Sequence, residues 1–277
     1  MMARVLLVAR NTFRAIMSKR ALYVWTLAVV MMFLRAAPAI FAPSLEPAVL
    51  LFVRANAVSA AMELWSVLCV GAAILLGAGS VAGEISTKTI VTMLARPVRR
   101  WEVLLGKWIG VTAFALLSLA IGVALDTGIA AWLDIEIERR ILAIALAHTV
   151  ASIMLFGAVA VVIGSGGSAV LAVALTALLI FIPGVVTLLK DEPKPVPYAI
   201  GRAFGFLTPA GYDSHYDGMT WAPFPRRPNT RGPVVERPRP QIDYPAVRRD
   251  MLENLGYAGV YFLLGCVFFT RKDVNLA

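Results

Sequence analysis

The chain reads as an all-α, polytopic integral membrane protein, with six transmembrane helices behind an interfacial amphipathic N-terminal helix. Three observations predict this class. Of 277 residues, 59% are hydrophobic, and only 16% are charged. A soluble domain carries roughly a quarter of its residues charged. Mean hydropathy is +0.77, and several apolar runs reach the roughly 20 residues that span hydrocarbon. A membrane barrel would instead show alternating segments of about 10 residues, and the sequence has none.

Residues 1–20 predict the interfacial helix. Val5, Leu6, Ala9, Phe13, Ile16 and Met17 fall on one helical face, with Arg4, Asn11, Arg14 and Ser18 opposite. Leu7 and Val8 break the pattern. A basic amphipathic helix of this kind lies along a leaflet surface and leads into the first span. The basic region is too long and too patterned for the start of a cleaved signal peptide.

The six spans are expected at Ala21–Ala42, Leu64–Ala82, Trp108–Leu133, Ile141–Ile163, Ala169–Leu189 and Leu255–Thr270. The fourth and fifth are joined by an uncharged turn, residues 164–168 (GSGGS). Pro183-Gly184 should kink the fifth, because proline removes one helical hydrogen bond. Gly71, Gly77, Gly79 and Gly83 mark the second span for close helix contact, within or between chains. Tyr257–Phe269 carries an aromatic stripe that faces lipid or packs. Cys69 and Cys266 both sit in apolar runs, as packing residues rather than a disulfide or metal site.

Basic residues set the orientation. Arg4, Arg10, Arg14, Lys19 and Arg20, then Lys88, Arg96, Arg99, Arg100 and Lys107, then Arg271 and Lys272 all fall on one side. The short loops on the other side carry only Arg54, Arg139 and Arg140, with five acids. Positively charged short loops stay in the cytoplasm. Both termini and residues 83–107 are therefore expected to be cytoplasmic, in an inner (plasma) membrane. The net charge of +9 follows from this topology and from attraction to anionic lipid, with no nucleic acid partner required.

The chain thus divides into the cytoplasmic interfacial helix (1–20), five spans with the basic segment 83–107 (21–189), an outer-face loop (190–253), and the sixth span with a cytoplasmic tail (254–277). The outer loop holds 11 of the 16 prolines, so most of it can form neither a long helix nor a central strand. Two pieces have ordered patterns: Val196–Leu207, apolar enough to dip into the interface, and Ala246–Asn254, a short helix leading into the last span. The loop reads equally as a lid or docking surface for an outer partner and as a solvated excursion.

Residues 83–107 are the most informative stretch. They are too charged to cross a bilayer and too patterned for a linker. Gly79 and Gly83 form a small-xxx-small pair, and Glu84 follows. Thr87 to Ala95 predicts a short helix with Ile90, Met93 and Leu94 on one side. Arg96-Pro97 ends it, because the residue before proline avoids the helical region. A second helix starts at Arg99, Arg100 and Trp101 and runs through Lys107 into the third span. Trp101 and Trp108 suit the interface level. A stiff amphipathic element at a membrane face is what a transporter needs to receive force from a soluble motor.

This segment closely resembles the coupling region of type 2 ABC-exporter permeases. The resemblance rests on Glu84, Thr89, Leu94-Ala95-Arg96-Pro97-Val98, Arg100 and Leu104-Leu105-Gly106-Lys107. The N-terminal helix, the six spans and Phe268-Phe269-Thr270-Arg271-Lys272-Asp273 are also similar to that family. Lys88 departs from it, where glycine is frequent, and the proline-rich loop is long. The resemblance implies a permease subunit, working in export, whose coupling helix docks on a separate ATP-binding subunit. Two such ATPases and a second permease chain, the same or different, complete the assembly. Ile90, Met93 and Leu94 would fill a groove on the motor, with Glu84, Arg96, Arg99 and Arg100 at its rim, as in helix-in-groove recognition. ATP and Mg would be bound by the partner, since the chain has no G-x-x-x-x-G-K-[ST] and no cofactor, metal or catalytic residue is assigned to it.

Within the spans, Arg35, Asp126 and His148 stand out, because intramembrane charge costs about 2.5–3.5 kcal/mol at mid-helix. Each lies about 7 residues, or roughly 10 Å, from the outer end of its span. They read either as a polar cluster on a substrate route, with Arg35 paired to Asp126, or as a snorkelling arginine and two packing residues. A membrane enzyme has no support from a nucleophile, an HExxH motif or paired intramembrane aspartates. A non-transporting anchor or scaffold for an ATPase complex is the alternative function.

Overall fold

The computed structural model describes residues 2–18, 23, 25–27, 29–31, 34, 37, 47–87, 99–191, 216, 219–220 and 244–271. Among these residues six helices are delimited: α1 (Met2–Met17), α2 (Pro47–Ser86), α3 (Arg100–Trp132), α4 (Arg139–Gly164), α5 (Ala169–Asp191) and α6 (Tyr244–Arg271). No strand occurs among the described residues. The described residues between 23 and 37 are helical as well.

Among the described residues, four stretches are long and apolar enough to cross a membrane: Val49–Ser86, Arg100–Trp132, Arg139–Gly164 and Tyr244–Thr270. Ala169–Ile180, within α5, is a shorter apolar stretch. α5 remains helical through Pro183-Gly184. The second span was expected from Leu64, with a loop before it, but α2 already begins at Pro47. Proline suits a first helical position. No glycine or proline follows until Gly71, so nothing in the intervening sequence breaks the helix.

α4 is the hub, touching α2, α3, α5 and α6. Its small residues make that possible. A Cβ on Gly77 of α2 would sit 3.1 Å from Ala160 Cβ and 3.3 Å from the Gly157 carbonyl oxygen. One on Gly164 would lie 2.6 Å from the Ala78 carbonyl oxygen. Small residues let helix backbones approach where no hydrophobic effect drives helices together. The turn into α5 uses Gly167 at φ +101°, a left-handed conformation that glycine adopts freely. Ser168 Oγ then accepts the Leu171 N–H at 3.2 Å, capping α5.

The core between α2 and α3 is built around Trp65, 2% exposed. Its indole fills the place where a Cβ on Gly122 would stand, and its Nε1 donates to the Ser118 carbonyl at 2.8 Å. Trp25 stacks on Phe114, with centroids 5.8 Å apart, and donates to Ser118 Oγ at 2.8 Å. The helical residues around Trp25 are thereby tied to α3. Trp65→Ala is expected to cost about 3–5 kcal/mol, the penalty for emptying a large aromatic site. A melting midpoint in detergent equal to that of the unaltered chain would contradict this packing.

At the end of the bundle formed by the starts of α2 and α4, a piece of the long loop is inserted. Tyr216 and Met219 are buried. Tyr216 Oη lies 3.1 Å from Thr149 Oγ1, and Thr220 Oγ1 lies 2.6 Å from Ser59 Oγ while donating to the Ala55 carbonyl. The Met219 carbonyl accepts the Glu138 N–H at 2.9 Å. Val196–Leu207 lies outside the described residues. Ala246–Asn254 is the first part of α6 rather than a separate short helix.

Candidate functional site

The opposite end of the bundle gathers the described parts of segment 83–107. Glu84 is on the last turn of α2 and Lys107 on the second turn of α3. Lys107 Nζ stands 2.7 Å from Glu84 Oε1 and donates to the Ser80 carbonyl at 2.5 Å. The Lys107 side chain is 2% exposed and that of Glu84 31%. A buried ammonium is tolerated only when paired and hydrogen-bonded, and here it has both an anion and a carbonyl. The pair ties the two ends of the basic segment together at its base.

The start of α3 is fixed in two further ways. The Arg99 backbone N–H donates to Glu102 Oε2 at 2.9 Å, a carboxylate closing the helix N-terminus where the dipole favours negative charge. Arg100 Nη1 donates to the Phe269 carbonyl at 3.3 Å, so α3 holds one of the last carbonyls of α6. A cation there complements the helix C-terminus.

α1 lies across the same end. Gly106 and Gly110 of α3 are the points of nearest approach. Their Cβ atoms would fall 2.6 Å from Val8 Cβ and 2.7 Å from the Ala9 carbonyl oxygen. The buried stripe of α1 is Val5, Val8, Ala9 and Ile16. This corrects the expected face. Val8, thought to break the pattern, belongs to the stripe, whereas Leu6 is 59% exposed. Crossing on glycines rotates α1 so that Val8 sits over Gly106, with Ala9 and Thr12 over Gly110.

Trp108, expected at the interface level, is half-buried, stacked on Phe262 with centroids 4.9 Å apart, and it donates to the Met154 carbonyl at 3.0 Å. The aromatic stripe of α6 is divided. Phe262 and Phe269 pack inward and Phe268 is exposed. Gly79 and Gly83 meet nothing within 4 Å at their Cβ positions, so the close contact within this chain is at Gly77 and not at the small-xxx-small pair. Both cysteines are free.

Thr89, Ile90, Met93, Leu94, Arg96 and Pro97 lie outside the described residues, as does Arg35. Asp126 on α3 and His148 on α4 are each 1% exposed. Asp126 Oδ1 has no hydrogen-bond partner among the described residues. The residues that sequence reasoning passed over are Ser80, Glu102 and Gly110. Glu102, three residues after Arg99, carries a local signal as a first-turn acid. The other two become partners only through packing.

These features define a multi-pass α-helical membrane protein whose basic segment, between the second and third helices of the bundle, is clamped at its base. A family model described as an ABC-2 family transporter protein matches residues 6–274. The chain belongs to that family, the type 2 ABC transporter permeases. It is therefore the membrane subunit of an ABC transporter, and family membership implies an ATP-binding partner. No curated protein shows significant similarity to the chain.

Proposed function

We propose that the chain is the permease of an ATP-driven exporter in the inner membrane, with both termini cytoplasmic and two chains working with two ATP-binding subunits. Residues 83–107 are the lever. Ile90, Met93 and Leu94 enter a groove on the ATPase, and Arg96, Arg99 and Arg100 orient it. Thr89 belongs to the docking helix, and Pro97 stiffens the turn after it.

The observation that carries this reading is the Glu84–Lys107 pair in a chain of this family. A lever transmits force only if its base cannot splay. With its ends joined, displacement of the tip moves α2 and α3 together. The Gly106 and Gly110 crossing passes that motion to α1, and the Arg100 contact passes it to α6. A ligand-driven closure that reorients packed helices is a recurrent switching mode. Arg35, Asp126 and His148 are assigned to a polar patch on the export route, and the outer loop 190–253 to contact with an outer partner.

The test has three parts. Thr87→Cys in intact cells is expected to resist membrane-impermeant thiol reagents and to react once the membrane is opened. Labelling from outside would invert the geometry and end the proposal. Copurification in lipid with nucleotide is expected to retain the ATPase, and Arg96→Glu with Arg100→Glu to release it. In vesicles, export requires turnover to rise with flux. Turnover independent of every flux would favour the scaffold reading.

A further inference from the structure

Between α1 and the last three turns of α2 lies a cleft of about 750 Å³. One wall is apolar, with Leu7, Leu75 and Leu76. Leu7 and Leu75 are 56% and 60% exposed, so that wall is continuous with the surface that faces hydrocarbon in a membrane-embedded chain. The inner end is polar, closed by the buried Lys107 and by Thr12. Missing side chains create the space: Gly79 and Gly83 line it and meet nothing within 4 Å. Two residues before Gly79, on the other side of the same helix, Gly77 is packed against α4.

An apolar wall open to the bilayer with a polar end at the leaflet surface fits an amphiphile rather than water or a second apolar helix. Charge selects which amphiphile. α1 carries Arg4, Arg10 and Arg14 and has no acid. Arg10 and Arg14 are exposed and flank Asn11, a lining residue. Basic side chains at the membrane surface attract anionic headgroups, whereas a zwitterionic headgroup gains little. Lys107 and Glu84 balance each other inside the cleft, so the net positive charge sits at its rim.

We propose that this cleft binds one anionic phospholipid, with an acyl chain along Leu7, Leu75 and Leu76 and its phosphate held at Asn11 beneath Arg10 and Arg14. The lipid acts as a wedge between α1 and α2. This goes beyond the permease reading and requires only that the chain sit in a bilayer, so failure of ATPase docking would leave it intact.

The test uses the full chain in mild detergent, with phosphatidylglycerol or phosphatidylcholine added, read by native mass spectrometry and by melting midpoint. The unaltered chain is expected to retain one phosphatidylglycerol and to melt several degrees higher with it, and to do neither with phosphatidylcholine. Arg10→Gln with Arg14→Gln, both exposed, should weaken retention about tenfold or more, on the order expected for two lost surface cations. Gly79→Leu should abolish retention by filling the cleft while melting no lower than the unaltered chain in lipid-free detergent. Equal retention of the two lipids, or unchanged retention in both variants, would overturn the proposal. So would disulfide-linked dimers of Gly79→Cys at full yield in bilayers, since a second chain would then occupy the cleft.

Discussion

Lys107→Met is expected to destabilise the chain by about 3 kcal/mol, the lower end for breaking a buried ion pair, because Glu84 keeps some access to solvent. The loss comes from leaving Glu84 and the Ser80 carbonyl without their common cation. Glu84→Gln should cost as much or more, since it strands an ammonium that is 2% exposed. The double variant, Lys107→Met with Glu84→Gln, should be more stable than the sum of the two losses allows, by at least 1 kcal/mol or so, as contacting residues in one network are not additive. Melting midpoints of all four chains give this directly. Strict additivity would mean that the two side chains do not act as a clamp. In the assembled complex, the same three variants should hydrolyse ATP with reduced flux per turnover.

The second large effect is expected at the crossing of α1 over α3. Gly106→Val and Gly110→Val each force branched carbons into space held by Val8, Ala9 and Thr12. Overpacking of this kind costs about 1–3 kcal/mol per site. At Gly110 the first obstacle is a backbone carbonyl, which cannot rotate aside as a side chain can. The double variant should release α1, with trypsin cutting at Arg10 and Arg14 much faster than in the unaltered chain. Gly79→Ala is the matching control. Nothing lies within 4 Å of its Cβ, and replacing a mid-helix glycine should stabilise by about 0.5–1 kcal/mol. If the Gly106 and Gly110 variants kept α1 as protected as this control does, the close crossing would be wrong.

Much of the site was legible as residue identities and little of it as pairings. Glu84 and Lys107 stood out through their order along the chain and the family resemblance. Their contact could not be read, because it joins positions 23 apart across a segment whose path sets the distance. The motif glycine, Gly106, was visible in the sequence, but its purpose was not. It admits α1, whose Val8 looked like a defect in an otherwise regular face. Arg100 read as a rim charge for a partner, and within the chain it holds the Phe269 carbonyl. Asp126 and His148 were marked by the cost of polarity in hydrocarbon, and both are buried.

The sequence by itself determined the class, the apolar stretches and the basic segment between the second and third helices of the bundle. Transfer into hydrocarbon is a sum over residues, and charge excludes a stretch from the bilayer wherever it folds. Tertiary structure alone decided which glycines are contacts. Gly77, Gly106, Gly110, Gly122 and Gly164 face neighbours, while Gly71, Gly79 and Gly83 face open space. The physical reason is rotational. A glycine has no side chain with which to announce its face, so helix rotation and crossing settle what stands opposite it.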